Sequence, residues 1–171
     1  PKGKIIDKCQ FGDATYGVAM FGKETVYATT FDDSVASVGR KCKIKGIPTT
    51  ESLGWGLALT SDNKYVVAAT HSTSIIDAEE GSFLGAVPHS YSSYFVSSLD
   101  GKIVYGTASE GIEKIDPATR TLIKIIPTEY SLYGITMAQK NGYLYATGEY
   151  DSVVVVIDTN TDEVVRIIAV P

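Results

Sequence analysis

A motif of about 40 residues recurs four times along this chain, and this internal repeat restricts the possible folds more than any other feature. Each copy begins with an aromatic residue, at Tyr16, Trp55, Tyr94 and Tyr133, so that the spacing is 39 residues each time. A small residue followed by threonine recurs at Ala28-Thr29, Ala69-Thr70, Gly106-Thr107 and Ala146-Thr147. Each copy ends on a proline, at Pro48, Pro88, Pro127 and Pro171. Such a repeat indicates one supersecondary unit stacked in an array.

Each copy is predicted to contain four short strands, which we name a to d in chain order. In the last copy these are YGITM, YLYAT, VVVVID and EVVRIIAV, which are rich in β-branched and aromatic residues and are separated by polar turns. Segments of this length and composition favour strands over helices. A four-stranded antiparallel sheet that recurs at this spacing is typical of a β-propeller, in which each sheet is one blade.

The predicted fold is therefore an all-β propeller with four blades in a single domain, residues 1–171. We place the blades at residues 15–48, 54–88, 93–127 and 132–171. Residues 2–11, KGKIIDKCQF, are predicted to form one more outer strand d, which leaves five d strands for four sets of strands a to c. Bare terminal blades would expose apolar faces. We therefore expect a segment of a larger array, or half of an eight-bladed ring completed as a homodimer or by another propeller segment.

Composition and charge exclude several classes of function. The hydrophobic content of 44% and the charged content of 20% are those of a globular protein. The longest apolar run has five residues, so we expect no membrane-spanning helix. The formal net charge of −5 argues against nucleic-acid binding, which depends on basic residues.

Three further features concern processing and redox state. Cys9 and Cys42 are the only cysteines, and we expect them to be free, partly buried thiols, since two cysteines make no disulfide framework in a domain of this size. The chain begins at Pro1 without a methionine, so we expect a processed or excised chain. It has no N-glycosylation sequon, and the compartment stays open.

The repeats resemble those of the YVTN-type β-propeller family, which includes propeller lactonases and cell-surface repeat proteins. The matching residues are Tyr-Gly-Val-Ala at 16–19, Val-Tyr-Ala at 26–28, Tyr-Gly-Ile at 133–135, Val-Val-Ile-Asp at 155–158 and Val-Val-Arg-Ile-Ile-Ala-Val-Pro at 164–171. The family often has asparagine where this chain has threonine after strand b. The resemblance implies a propeller fold and allows a lactonase-like activity, but it does not select one function.

One end of the predicted propeller is acidic. The b–c and d–a loops share this end, which we call the rim, and these loops contain no lysine or arginine. They hold eight of the 20 acidic residues: Asp13, Asp32, Asp33, Glu51, Glu110, Glu129, Glu149 and Asp151. Such a concentration of carboxylates would attract cations, although loops also favour Asp and Glu simply as turn residues.

Aromatic side chains and both histidines are predicted at the same rim. Tyr16, Trp55, Tyr94 and Tyr133 begin the innermost strands and should surround the mouth of the central channel, although packing between blades would explain them as well. Tyr91 should lie beside them. Aromatic faces near Glu110, Glu129 and Glu149 suit an organic cation, whereas carboxylates alone would suit Ca²⁺. His71 and His89 are candidate general bases, or simply exposed loop residues.

Three functions follow from these residues. The first is a binding module whose rim captures a small cationic ligand, a divalent ion or a basic peptide. The second, which the family resemblance implies, is a metal-assisted lactonase or related hydrolase in which His71 or His89 activates water. The third is a structural repeat segment or an engineered fragment. No Gly-x-Ser-x-Gly, His-Glu-x-x-His or phosphate-loop motif selects an enzyme class.

Overall fold

A computed structural model of the chain describes residues 8–11, 14–31, 34–49 and 55–171. The described residues form four antiparallel sheets of four strands, which we number as blades 1 to 4 in chain order. Blade 1 contains β1 (Thr15–Phe21), β2 (Thr25–Thr30), β3 (Ser34–Gly39) and β4 (Lys43–Ile47). Blade 2 contains β5 (Leu57–Leu59), β6 (Tyr65–Ala69), β7 (Thr73–Asp77) and β8 (Ser82–Val87). Blade 3 contains β9 (Phe95–Ser97), β10 (Val104–Ala108), β11 (Gly111–Asp116) and β12 (Thr121–Pro127), and blade 4 contains β13 (Leu132–Met137), β14 (Tyr143–Gly148), β15 (Val153–Asp158) and β16 (Glu163–Ala169).

The prediction of four four-stranded antiparallel blades is confirmed. Each blade has its strands in the chain order a to d, and the innermost strands β1, β5, β9 and β13 contact one another in sequence, as in a propeller. The part of the chain that the structure describes contains no α-helix, and its one helical segment is a short 3₁₀ turn, Arg40–Cys42. Nor does any described helix have the length and apolar composition needed to cross a membrane.

An Ile-Asp dipeptide recurs at the end of strand c in blades 2, 3 and 4, and its aspartate builds the turn between strands c and d. Asp77 accepts hydrogen bonds from the backbone N–H groups of Glu79 and Glu80, at 2.9 and 2.8 Å. Asp116 and Asp158 bind the backbone of the turns that follow them in the same way. A short acidic side chain suits this position because it can bind the backbone two or three residues ahead. Blade 1 has no such aspartate, and its c–d turn is the 3₁₀ segment instead.

The core lies between consecutive blades. One cluster joins blades 1 and 2 through residues that include Tyr27, Ile47 and Ile76. A second joins blades 2 and 3, and a third joins blades 3 and 4. Strand c can be apolar on both faces because each middle blade packs against a neighbour on either side. Within the described ranges no buried cluster joins blade 4 to blade 1, so the four blades form an arc with two outer faces.

The segment before blade 1 differs from its prediction. Residues 8–11 are not in a strand, and the rest of the expected outer strand, residues 2–7, lies outside the described residues. Cys9 and Phe11 lie beside Val26, Ala28 and Val38 on the outer face of blade 1. The segment 8–11, which we call the strap, therefore covers part of this face.

The prediction of free thiols is wrong, because Cys9 and Cys42 form a disulfide bond. The two residues are 33 positions apart in the chain, but their Cα atoms are 5.1 Å apart. Cys42 is the last residue of the 3₁₀ turn that replaces the usual c–d turn, so the bond joins the strap to this turn. The disulfide thus ties the strap to blade 1.

Candidate functional site

Antiparallel order places the b–c and d–a loops at the same end of every blade, as predicted. Neighbouring loops at this rim are joined by backbone hydrogen bonds, from Ser93 N–H to the Thr107 carbonyl at 2.7 Å and from Glu149 N–H to the Ser131 carbonyl at 2.8 Å. In blades 3 and 4, the two rim loops of each blade are therefore joined to each other. Of its eight predicted acidic residues, Glu110, Glu129, Glu149 and Asp151 are described and all four are exposed. The other four, Asp13, Asp32, Asp33 and Glu51, lie outside the described residues.

The four ring aromatics come together in two pairs. The ring centres of Tyr16 and Trp55 are 5.4 Å apart, and those of Tyr94 and Tyr133 are 4.6 Å apart, with tilted planes in both pairs. These separations are typical of favourable aromatic contacts. The Tyr94 hydroxyl also donates a 2.7 Å hydrogen bond to the Tyr133 hydroxyl. Each pair spans two consecutive blades, so the aromatics both pack the blades and line their inner edge.

Burial, and then the hydrogen bond to Tyr133, raises the pKa of Tyr94 to about 12. Tyr94 is therefore neutral at physiological pH and keeps its proton for the bond to Tyr133.

Trp55, Tyr133 and Glu149 line one cavity of about 300 Å³ at the rim, which we call the rim cavity. Its remaining walls come from blades 3 and 4, and they are Ser93, Thr107, Ala108, Ser109, Ser131 and Leu132. Two aromatic side chains, one carboxylate and several hydroxyl groups thus face one space. This combination is typical of small-molecule sites, in which apolar walls carry a few polar groups that fix orientation.

Glu149 is held at the rim cavity by two neighbours. Its carboxylate accepts a 2.8 Å hydrogen bond from the Tyr150 hydroxyl and a 3.2 Å bond from the Ser131 hydroxyl. The bond to Glu149 raises the pKa of Tyr150, because the ionised phenol would face the carboxylate. Part of the carboxylate's hydrogen-bonding capacity remains for a ligand, since an ionised carboxylate accepts about four hydrogen bonds.

In blades 1 and 3, the threonine after strand b has a structural role that the sequence did not reveal. The Thr29 hydroxyl donates a 2.7 Å hydrogen bond to the Trp55 carbonyl, and the Thr107 hydroxyl donates a 2.8 Å bond to the Tyr133 carbonyl. In each case the acceptor is the ring aromatic of the next blade. These threonines therefore position the aromatic residues that line the rim cavity.

Glu113 is a buried carboxylate, which the sequence analysis missed. It is 2% exposed, and it accepts hydrogen bonds from the hydroxyls of Ser90 and Ser92, the latter at 2.6 Å, and from the Tyr91 N–H at 3.1 Å. All of these donors belong to one d–a loop, so Glu113 fixes the loop that delivers Ser93 to the rim cavity. No signal in the sequence separates this glutamate from an exposed one on a strand.

Glu129 lies in a different cavity from Glu149. This second space has a volume of about 450 Å³, and we call it the outer groove. Its lining residues lie between blades 3 and 4, and they are Pro127, Thr128, Glu129, Tyr130, Val155, Val164 and Ile167. Between blades 2 and 3, the d–a loop at this place is hydrogen-bonded to Glu113. Val155 occupies the position of Glu113 in blade 4, and its apolar side chain cannot form such bonds.

The remaining predicted site residues are not brought to the rim cavity. Tyr91 and Glu110 are exposed and line neither cavity. His71 and His89 are exposed in two rim loops that are joined by a 2.6 Å hydrogen bond between the Thr73 and Ser90 hydroxyls. Neither histidine lines the rim cavity. Among the described residues, no group of three or more His, Cys, Asp or Glu side chains is placed to hold a metal ion.

Comparison with known proteins supports the fold alone. The backbone is similar to a solved chain of hydrazine synthase from Kuenenia stuttgartiensis, with a TM-score of 0.79 and 19% sequence identity. The alignment covers 96% of this chain and 52% of that chain, so this chain spans about half the length of the solved one. No family model matches the chain, and no curated protein matches it. The likeness to YVTN-type repeats therefore stays a prediction.

Proposed function

We propose that this chain is a binding module whose rim cavity takes a small organic cation. The observation that carries the proposal is that Trp55, Tyr133 and Glu149 line the same cavity. A cation near an aromatic face is attracted by the quadrupole of the ring, and tryptophan is the strongest of the aromatic partners. The carboxylate of Glu149 adds a charge of the complementary sign.

The chemistry of the walls favours an ammonium group that carries carbon substituents. Small metal ions require several oxygen ligands, and the rim cavity offers one carboxylate beside two aromatic side chains. A substituted ammonium ion can place its carbon atoms against the rings and its charge near Glu149. Two aromatic contacts of about 1–2 kcal/mol each, with about 1 kcal/mol from a solvent-exposed carboxylate, correspond to a Kd on the order of 1 mM for a minimal cation.

The experiment uses Trp55, which is the only tryptophan and therefore reports on the rim cavity itself. Tetramethylammonium chloride is titrated while the fluorescence of Trp55 is measured, with sodium chloride at the same ionic strength as the reference. We expect a saturable change with tetramethylammonium and none with sodium. Tyr133→Leu should weaken binding at least about fivefold through loss of one aromatic contact.

Two carboxylate variants provide a matched comparison. Glu149→Gln should weaken binding by a few fold, because the charge of the cavity is removed. Glu110→Gln removes a charge from the same rim outside the cavity and should leave binding unchanged. The proposal is wrong if tetramethylammonium and sodium produce the same fluorescence change, or if Tyr133→Leu binds as tightly as the unmodified chain.

The lactonase-like alternative gains no specific support. It requires a metal ion and a histidine base at one place, and His71 and His89 lie outside the rim cavity. The described residues also bring no three potential metal ligands together. The binding module is the better-supported proposal because it needs only the groups that the rim cavity contains.

A further inference from the structure

The face of blade 4 that points away from blade 3, which we call its outer face, carries the same residue types as the faces that pack between the other blades. Leu144, Ala146, Val155 and Ile157 pack against blade 3. Alternate strand residues point to opposite faces. The outer face therefore includes Tyr145, which pairs with Val156, and Val154, which pairs with Ile168.

The same register positions are buried in the earlier blades. Tyr27 of blade 1 and Tyr105 of blade 3 occupy the position of Tyr145, and they are 1% and 3% exposed against the next blade. Ile47 and Ile126 occupy the position of Ile168, and both are buried. Tyr145 and Ile168 are only half-buried. Blade 4 thus carries the residues of an inter-blade interface, and no described residue packs onto them from a further blade.

The backbone of blade 4 is also shaped for a following blade. A Cβ atom on Gly17 would lie 2.9 Å from the Trp55 carbonyl oxygen, so glycine is needed where the next blade approaches. Gly134 occupies the same position in blade 4, but a Cβ there would meet only the Thr147 side chain, at 3.3 Å. Within a single copy, no backbone of another blade lies against Gly134 as Trp55 lies against Gly17.

Thr147 of blade 4 also lacks the contact with a following blade that its counterparts in blades 1 and 3 form. Thr29 and Thr107 donate to a carbonyl of the next blade at 2.7 and 2.8 Å. The hydroxyl of Thr147 instead reaches the carbonyl of Gly134 in its own blade, at 3.5 Å. The inter-blade hydrogen bond that Thr29 and Thr107 form therefore has no counterpart at Thr147 within this chain.

Blade 1 has the complementary face. Val18 pairs with Ala28, and its counterparts Leu57, Phe95 and Ile135 all pack against the preceding blade. Val18 is 71% exposed and Met20 is 60% exposed. Strap residues Cys9 and Phe11 line one cavity with Val38 and with residues 15–18 of β1, but the side chains of Val18 and Met20 stay exposed.

We propose that the outer face of blade 4 docks onto the blade 1 face of a second copy of this chain. The inner strands β13 and β14 of one copy pack against β1 of the other, and β16 packs against the strap. Blades splay outward from a propeller axis, which leaves room for the strap at the periphery. The contact continues the three interfaces already present in the chain. Two such contacts close a ring of eight blades and bring Tyr133 of one copy beside Tyr16 of the other.

The test measures the mass in solution by light scattering at micromolar concentration. We expect twice the mass of one chain. Thr136 is exposed on β13, at a position whose counterparts Ala58 and Val96 pack toward the next blade. Thr136→Glu should therefore weaken the dimer at least about tenfold, since it places an unpaired charge in the contact. Thr119→Glu, an exposed turn residue of blade 3, is the matched control and should remain dimeric.

Mixing two variants distinguishes head-to-tail docking from other arrangements. Val18→Glu damages only the blade 1 face, and Thr136→Glu damages only the blade 4 face. Each variant alone should be monomeric, whereas an equimolar mixture should regain dimers through the one intact contact. A monomeric unmodified chain would overturn the proposal. So would dimers of Val18→Glu alone, which would mean that two blade 4 faces pack together. Neither result depends on ligand binding at the rim cavity.

Discussion

The hydroxyl of Thr107 donates a 2.8 Å hydrogen bond to the carbonyl oxygen of Tyr133, which is the ring aromatic of the following blade. Thr29 and Trp55 repeat this relationship between blades 1 and 2. The threonine and the aromatic residue are two landmarks of the sequence repeat, and the structure shows that they contact each other across the blade boundary. In blades 1 and 3 the repeat therefore encodes a contact between units, whereas the Thr70 hydroxyl of blade 2 donates to the Ser72 carbonyl of its own loop.

Replacing Thr107 with valine should lower the free energy of unfolding by about 1–3 kcal/mol. Thr107 is fully buried, and its hydroxyl also accepts a 3.3 Å bond from the Tyr94 N–H, so both backbone partners would lose a hydrogen bond. Urea denaturation measures the change. Thr121→Val, at an exposed position, is the control and should change stability by less than about 0.5 kcal/mol. Equal effects of the two variants would contradict this account of the threonine.

Removing the Cys9–Cys42 disulfide should destabilise the chain by about 3–4 kcal/mol, as expected for a loop closed by residues 33 positions apart. The double variant Cys9→Ser/Cys42→Ser tests this in urea denaturation. A reducing agent should lower the stability of the unmodified chain to that of the variant and leave the variant unaffected. An unchanged midpoint in the double variant would contradict the predicted contribution of the disulfide to stability.

The ion pair between Lys114 and Asp162 should contribute to the interface of blades 3 and 4. The Lys114 ammonium lies 2.9 Å from both carboxylate oxygens, and both side chains are mostly buried. Burial lowers the pKa of Lys114, but the bond to Asp162 and the nearby Tyr105 outweigh it and leave this pKa raised. Asp162→Asn should therefore cost about 2–3 kcal/mol. Asparagine also tolerates the positive φ of 55° at this position.

A second ion pair provides the control for that variant. Lys102 and Asp100 are 4.0 Å apart and highly exposed, so Asp100→Asn should change stability by less than about 1 kcal/mol. Thermal unfolding of both variants gives the comparison. A larger loss for Asp100→Asn than for Asp162→Asn would contradict the role assigned to the buried pair.

Much of the fold was predictable because its information is local and repeated. The predicted strand VVVVID coincides with β15, Val153–Asp158, because a continuous run of β-branched residues favours a strand and the aspartate turn ends it. The disulfide was not predictable, because the contact between Cys9 and Cys42 depends on the path of the strap across a blade. Of the predicted ring aromatics, Tyr16 and Tyr94 do not line the rim cavity, whereas Trp55 and Tyr133 do. Which carboxylate joins them depends on loop conformation, and Glu149 does so whereas Glu129 lines the outer groove.

The hydrogen bond between Tyr94 and Tyr133 should be visible in the alkaline titration. The pKa of Tyr94 is raised from 10.0 to about 12, so the contribution of this group to stability is complete below pH 10 and is lost as the pH rises toward 12. Absorbance at the phenolate band is followed for the unmodified chain and for Tyr94→Phe. The difference between the two curves should have its midpoint near pH 12. A midpoint near 10 would show that the two hydroxyls are not paired.

The most direct test of the central claim is to map the ligand by nuclear magnetic resonance. Tetramethylammonium is added to isotopically labelled protein, and shifts of backbone amides, the Trp55 indole and the tyrosine rings are followed. We predict saturable shifts centred on Trp55, Tyr133 and Glu149, with a common Kd on the order of 1 mM. Shifts centred on Glu129 and Ile167 in the outer groove, or no saturable shifts at the rim cavity, would contradict the proposed function.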